Sequence, residues 1–135
     1  MSRIFITTTY KNAENKVEIE HLCSLIRQAG FEDFCFVRDV EHYTHIFTDP
    51  HELMQRAFEE IRKSDWLLID VTNKPTGRAI EAGMAFALKK KIVVIMKKGI
   101  NIKDSVRGIA DKIIEYDLLD EITPHLQILK FTEEI

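Results

Sequence analysis

Short, nearly unbroken apolar runs alternate along this chain with stretches whose apolar residues recur every three to four positions. The strongest runs are Ile4, Phe5 and Ile6; Trp66, Leu67, Leu68 and Ile69; and Ile92, Val93, Val94, Ile95 and Met96. Hydrophobicity this continuous fits central strands covered on both faces. Weaker runs at 34–37 and 113–116 predict two more strands, five in all. Between the first two runs, Val17, Leu22, Leu25, Ile26 and Ala29 can share a helical face that stops at Gly30. A second helix opens with Asp49 as its cap, Pro50 in the first helical position and Glu52 as the capping-box partner, and carries Leu53, Ala57 and Ile61 inward. The spacing predicts further helices over about 78–89, 102–110 and 121–131, the last with Pro124 in its first turn. Residues 41–49 read as a polar and aromatic loop.

Strand and helix alternating in this way predict a single α/β domain over residues 1–135. The expected architecture is a flavodoxin-like three-layer sandwich around a five-stranded, mainly parallel sheet with right-handed crossovers. Composition narrows the function without changing that picture. With 45% hydrophobic and 30% charged residues, and 19 Lys and Arg against 22 Asp and Glu for a net charge of -3, a nucleic acid polymer is not an expected partner. The clusters Lys89, Lys90, Lys91 and Lys97, Lys98 flank a predicted strand, as solvated helix and strand ends do. No run approaches the ~18 apolar residues that span a bilayer, and the chain reads straight into a strand at Arg3, so no membrane association and a cytoplasmic location are expected. Cys23 and Cys35 lack metal or redox spacing and are expected to be reduced and buried. His42, His45 and His51 gather near one loop, where such spacing is cheap, so no metal and no cofactor are expected.

In open parallel sheets ligands collect beyond the carboxyl ends of the strands. Two segments compete for that place. Thr7, Thr8, Thr9 and Tyr10 follow the first strand directly and can offer hydroxyls and backbone N–H groups to a phosphate or sugar, or can extend the strand and cap a helix. The second segment follows the central strand: Asp70 ends it, and a polar turn leads through Thr76 and Gly77 into a helix of small and apolar residues interrupted by Glu81. There a carboxylate is either a partner for the helix dipole or a reactive group in a partly dry cleft. Desolvation would raise its pKa while the helix N-terminus and Arg78 would lower it.

The sequence Thr76-Gly77-Arg78-Ala79-Ile80-Glu81-Ala82-Gly83-Met84-Ala85 resembles the nucleoside 2-deoxyribosyltransferase family, in particular its branch of 2'-deoxynucleoside 5'-phosphate N-hydrolases. Ser64, Asp65, Asp70, the strand exit at Lys97, and Ser105-Val106-Arg107-Gly108-Ile109-Ala110-Asp111 extend the likeness in order and spacing. The resemblance implies that Glu81 is the catalytic nucleophile and that Thr7, Thr8, Thr9 and Tyr10 hold base and phosphate. It also implies that Asp70, Thr76 and Gly77 bind substrate, and that Lys103 and Ser105 reach a neighbouring subunit's phosphate site in a homodimer or larger homo-oligomer.

The chain also departs from the family. Pro75 stands where the hydrolases carry serine, Tyr10 (with Lys11 beside it) where they carry a basic residue, and Ala57 where an aspartate orients the nucleophile, with Arg56, Glu59 and Glu60 within a turn. The expected activity is therefore cleavage of the N-glycosidic bond of a nucleoside or its 5'-monophosphate, by hydrolysis or by deoxyribosyl transfer. The alternative is a non-catalytic nucleotide-binding or signalling module on the same fold. A response-regulator receiver would need an acidic pair after the first strand, which Thr7, Thr8 and Thr9 do not provide.

Overall fold

Ile4 and Ile6 face one side of a sheet and Phe5 the other, and all three are buried, so the first strand is covered on both faces. The computed structural model describes residues 1–11, 14–72, 76–102 and 104–133. Five strands, β1 (Arg3–Thr7), β2 (Glu32–Cys35), β3 (Trp66–Asp70), β4 (Lys91–Lys97) and β5 (Lys112–Tyr116), form one sheet in the order β2-β1-β3-β4-β5. Every pairing is parallel, rather than mainly so. The helices are α1 (Lys16–Gln28), α2 (Phe36–Asp39), α3 (Pro50–Arg62), α4 (Thr76–Ala87), α5 (Asp104–Ile109) and α6 (Ile122–Glu133).

Two cores sandwich the sheet. On one face Ile4, Ile6, Leu68, Val93, Ile95 and Ile114 meet Leu22, Ile26 and Leu126 of α1 and α6. On the other Phe5, Leu67, Ile69, Ile92 and Val94 meet Ile61 of α3 and Ala82 and Ala85 of α4. This is the expected flavodoxin-like three-layer architecture. The winding reverses between β1 and β3, where Thr7 lies in register with Ile69. The carboxyl ends of these two strands therefore bound the crevice in which such sheets receive ligands.

Local sequence rules account for most element boundaries. Gly30 ends α1 at a φ of +100°, a conformation that costs a residue without Cβ little. Asp49 caps α3 by accepting from the His51 N–H at 2.9 Å, and Pro50 occupies the first turn.

Three expectations are corrected. Val17 is 82% exposed, and Ile19 takes its place on the buried face of α1. The strand expected at 34–37 begins and ends earlier, because Phe36 turns into the single-turn helix α2, pinned by the Cys35 N–H donating to Asp39 Oδ2 at 2.9 Å. Glu52 is exposed, and among the described residues no hydrogen bond returns from it to Asp49. No described helix is long and apolar enough to cross a membrane.

Candidate active site

Thr7 is the last residue of β1 and is buried, which makes a hydrogen-bond partner for its hydroxyl worth having. It donates to Glu81 Oε1 at 2.9 Å. Glu81 lies in the second turn of α4, whose N-terminus faces the strand exits because a right-handed crossover returns the helix antiparallel to β3. Burial pushes the Glu81 carboxyl up to about 7; the Thr7 hydrogen bond and Arg78 oppose this, while the like charge of Glu41 adds to it. Arg78 in turn donates to the Asp70 carbonyl at the end of β3.

Glu81 lies at one wall of a cavity of about 350 Å³. Thr7, Thr8 and Tyr10 line it from β1 and its exit; Phe36, Glu41, Tyr43 and His45 line it from the segment after β2. The rings give this cavity its character. Tyr10 packs against Tyr43 with centroids 5.7 Å apart and donates its hydroxyl to the Tyr43 carbonyl at 2.9 Å. Tyr43 donates its own hydroxyl to Glu20 at 2.7 Å, and Phe36 stacks on Phe47 at 6.2 Å. His42 and Tyr43 both adopt left-handed backbone conformations, with φ of 51° and 61°. Strain of this kind persists where the surrounding contacts over-determine it. Here the Tyr43 N–H is held by the Val37 carbonyl at 2.8 Å.

Beyond Thr8 lies a second, polar cavity of about 300 Å³, lined by Thr8, Thr9, Lys11, Asn15, Glu18, Asp70, Thr72, Lys97 and Tyr116. Thr9 Oγ1 is buried there with no hydrogen-bond partner among the described residues, which is unusual for a buried hydroxyl. Asp70 accepts from the Thr72 N–H and hydroxyl, at 3.0 and 2.7 Å.

Of the site residues expected from sequence, Glu81, Thr7, Thr8 and Tyr10 share the first cavity, while Thr8, Thr9 and Asp70 share the second. Gly77 is the second residue of α4 and is not among the described residues lining either cavity; among the described residues nothing would touch a Cβ added there or at Gly83. Thr76 begins α4, and Ser105 is exposed on α5. Lys103 and Pro75 lie outside the described residues. Glu41, Tyr43, His45 and Phe36 went unrecognised because they belong to a loop and a one-turn helix without periodicity. A polar and aromatic stretch following an edge strand was their only signal.

The acidic residues near Ala57 do not reach this place. Glu60 is buried and meets Arg3 at 3.4 Å, at the amino end of β1, whereas Glu81 meets Thr7 at its carboxyl end. Among the described residues no three His, Cys, Asp or Glu side chains are placed to hold a metal ion.

No protein-family model matches the sequence, and no curated protein matches it at a significant level. Solved structures do share its fold. A CMP N-glycosidase from Clostridium botulinum has a TM-score of 0.65 and 23% identity over 96% of this chain and 99% of that one. A 2-deoxyribosyltransferase from Bacillus psychrosaccharolyticus has a TM-score of 0.70 and 16% identity over 90% of each chain. A conserved protein from Enterococcus faecalis has a TM-score of 0.75 and 16% identity over 93% of this chain and 99% of that one. At such identities the likeness establishes the fold.

Proposed function

We propose that the chain cleaves the N-glycosidic bond of a nucleoside or nucleoside 5'-monophosphate, as an N-glycosidase or deoxyribosyltransferase, with Glu81 as the nucleophile. The observation that carries this reading is the Glu81 carboxylate, oriented by Thr7 in an aromatic-walled cavity at the switch point of the sheet. Two proteins that share the fold, a CMP N-glycosidase and a 2-deoxyribosyltransferase, lend it support.

The chemistry suits the site. As the C–N bond breaks, its electron pair leaves with the base and positive charge grows on the anomeric carbon; an ionised Glu81 stabilises that charge and then bonds to the carbon. Water, or a second base, then displaces the glutamate and releases the sugar. The Tyr10 and Tyr43 rings offer the base a wall to pack on. The polar cavity beyond Thr8, lined by Thr9, Lys11 and Lys97 among others, is where sugar and 5'-phosphate oxygens find donors. No cofactor is required.

The working form in this reading is a cytoplasmic homodimer or larger homo-oligomer. The outer side of α4 presents Ile80 and Phe86, more than half exposed, beside Gly83 and Ala87, an apolar face suited to a second copy of the chain. Lys103 and Ser105 are proposed to reach the neighbour's phosphate site across such an interface.

The test is chromatographic detection of free base from nucleosides, deoxynucleosides and their 5'-monophosphates. Glu81→Gln is expected to lower release by about three orders of magnitude or more; turnover that survives the substitution removes Glu81 from the mechanism. A second reading, a nucleotide-binding module without turnover, draws on Ala57, which is buried where the hydrolases carry an aspartate. It predicts nucleotide binding with no base released.

A further inference from the structure

We propose that Glu41 reads the base, so that the site takes bases carrying an exocyclic amino group in preference to uracil and thymine. The inference rests on the nucleoside reading of this cavity and names the substrate class within it. Three observations lead to it. First, Glu41 lines the same cavity as Glu81, and Phe36, Tyr10 and Tyr43 line it too. Second, its backbone is fixed: the Glu41 N–H donates to the Phe36 carbonyl at 3.2 Å, and the Thr44 N–H and hydroxyl donate to the Glu41 carbonyl at 3.0 and 2.8 Å. Third, its carboxylate is half-buried, with no hydrogen-bond or ion-pair partner among the described residues; His45 acts on it only as a nearby charge.

The neighbouring phenols do not compete for the ligand, because Tyr10 and Tyr43 have committed their hydroxyls to the Tyr43 carbonyl and to Glu20. Glu41 is therefore the charged group with which this wall meets a base edge. An ionised carboxylate only accepts hydrogen bonds. It satisfies an amino group, as acidic side chains do with cytosine, and it satisfies an amino group with an adjacent ring N–H still better. Uracil and thymine offer it one ring N–H flanked on both sides by carbonyl oxygens that repel it, and no amino group. A hydrogen bond to a charged group discriminates by roughly tenfold to a hundredfold.

Cytidine and uridine 5'-monophosphates isolate this effect, since they match in size and differ along one edge. At pH 8 the wild-type protein is expected to release cytosine with a kcat/KM roughly tenfold or more above that for uracil. Glu41→Gln, whose amide both donates and accepts, is expected to bring the two within about threefold of each other, and Glu41→Ala to do the same. Calorimetric titration of both nucleotides into Glu81→Gln protein, with and without Glu41→Gln, reads the preference without turnover. If no substrate yields free base, the glycosidase reading falls while the ratio of dissociation constants still decides the role of Glu41. A wild-type ratio near one, a preference for uracil, a ratio unchanged by Glu41→Gln, or binding of neither nucleotide overturns the proposal.

Discussion

Thr7 and Glu41 pull the Glu81 proton in opposite directions, and that opposition can be measured. The Thr7 hydroxyl stabilises the charged carboxylate; Glu41, a like charge, destabilises it; Arg78 is the cation on the same helix. If Glu81 must be ionised to attack, kcat/KM should rise with pH and level off above about 7. Thr7→Val should move that rise to higher pH and Glu41→Gln should move it lower, whichever substrate is used. A purely structural role for either residue would change rates without moving the profile.

The same proton also affects folding. The folded protein binds it more tightly than the unfolded chain, so stability should fall as pH rises from about 4.5 to about 7 and then stay level. Glu81→Gln keeps an acceptor for Thr7 and removes the charge. It should therefore flatten that decline and stabilise the protein at pH 8 by about 2 kcal/mol, seen as a melting temperature several degrees higher. A melting temperature at pH 8 that is unchanged or lower in Glu81→Gln would mean that the carboxylate is not held against its preference.

At the scale of elements, α3 begins where its sequence says it should, because capping is a local matter. Asp49→Ala removes the acceptor of the His51 N–H and should cost about 1 kcal/mol in denaturant titration, with base release unaffected by the loss of that one bond. The central strands were legible for a similar reason: runs such as Ile92 to Met96 are long, apolar and bounded by lysines. β2 was legible as a strand but not in its bounds, since it is an edge strand that opens with Glu32 and Asp33 and buries little before Cys35. Glu81 stood out as a carboxylate on an otherwise small and apolar helix. Glu41 did not, because what makes it notable is the company of Glu81 across a fold that brings together residues 40 positions apart. No local pattern encodes such a pairing. Val17 shows the converse failure, an apolar residue that fits the helical period yet lies beyond the reach of the sheet.

Over the whole molecule, the two ends of the sheet carry different burdens. At the amino end Arg3 binds the Glu60 carboxylate at 3.4 Å and the Ser64 hydroxyl at 2.9 Å while its guanidinium lies 4.0 Å over the Phe34 ring, tying β1 to α3 and β2. Removing Glu60 leaves that cation short of its partner. Glu60→Ala should lower stability by about 2 kcal/mol with kcat unchanged, because the network lies a full strand length from Glu81. A fall in kcat that does not follow the unfolded fraction would show that the two ends communicate. Assembly is a separate test on the outer side of α4. Ile80→Glu and Phe86→Glu together should yield monomers in sedimentation, and wild-type monomers at working concentration would remove α4 as an interface.

Glu81 and the wall that the segment after β2 contributes to its cavity have different anchorage. Glu81 rises from a helix packed on the middle of the sheet, whereas residues 36–47 hang from β2, an edge strand, and bury few side chains. Substitutions, insertions and deletions after β2 therefore disturb little of the core. In the proposed reading, chains descended from this one are free to change what they recognise by altering that margin while Glu81 stays where it is.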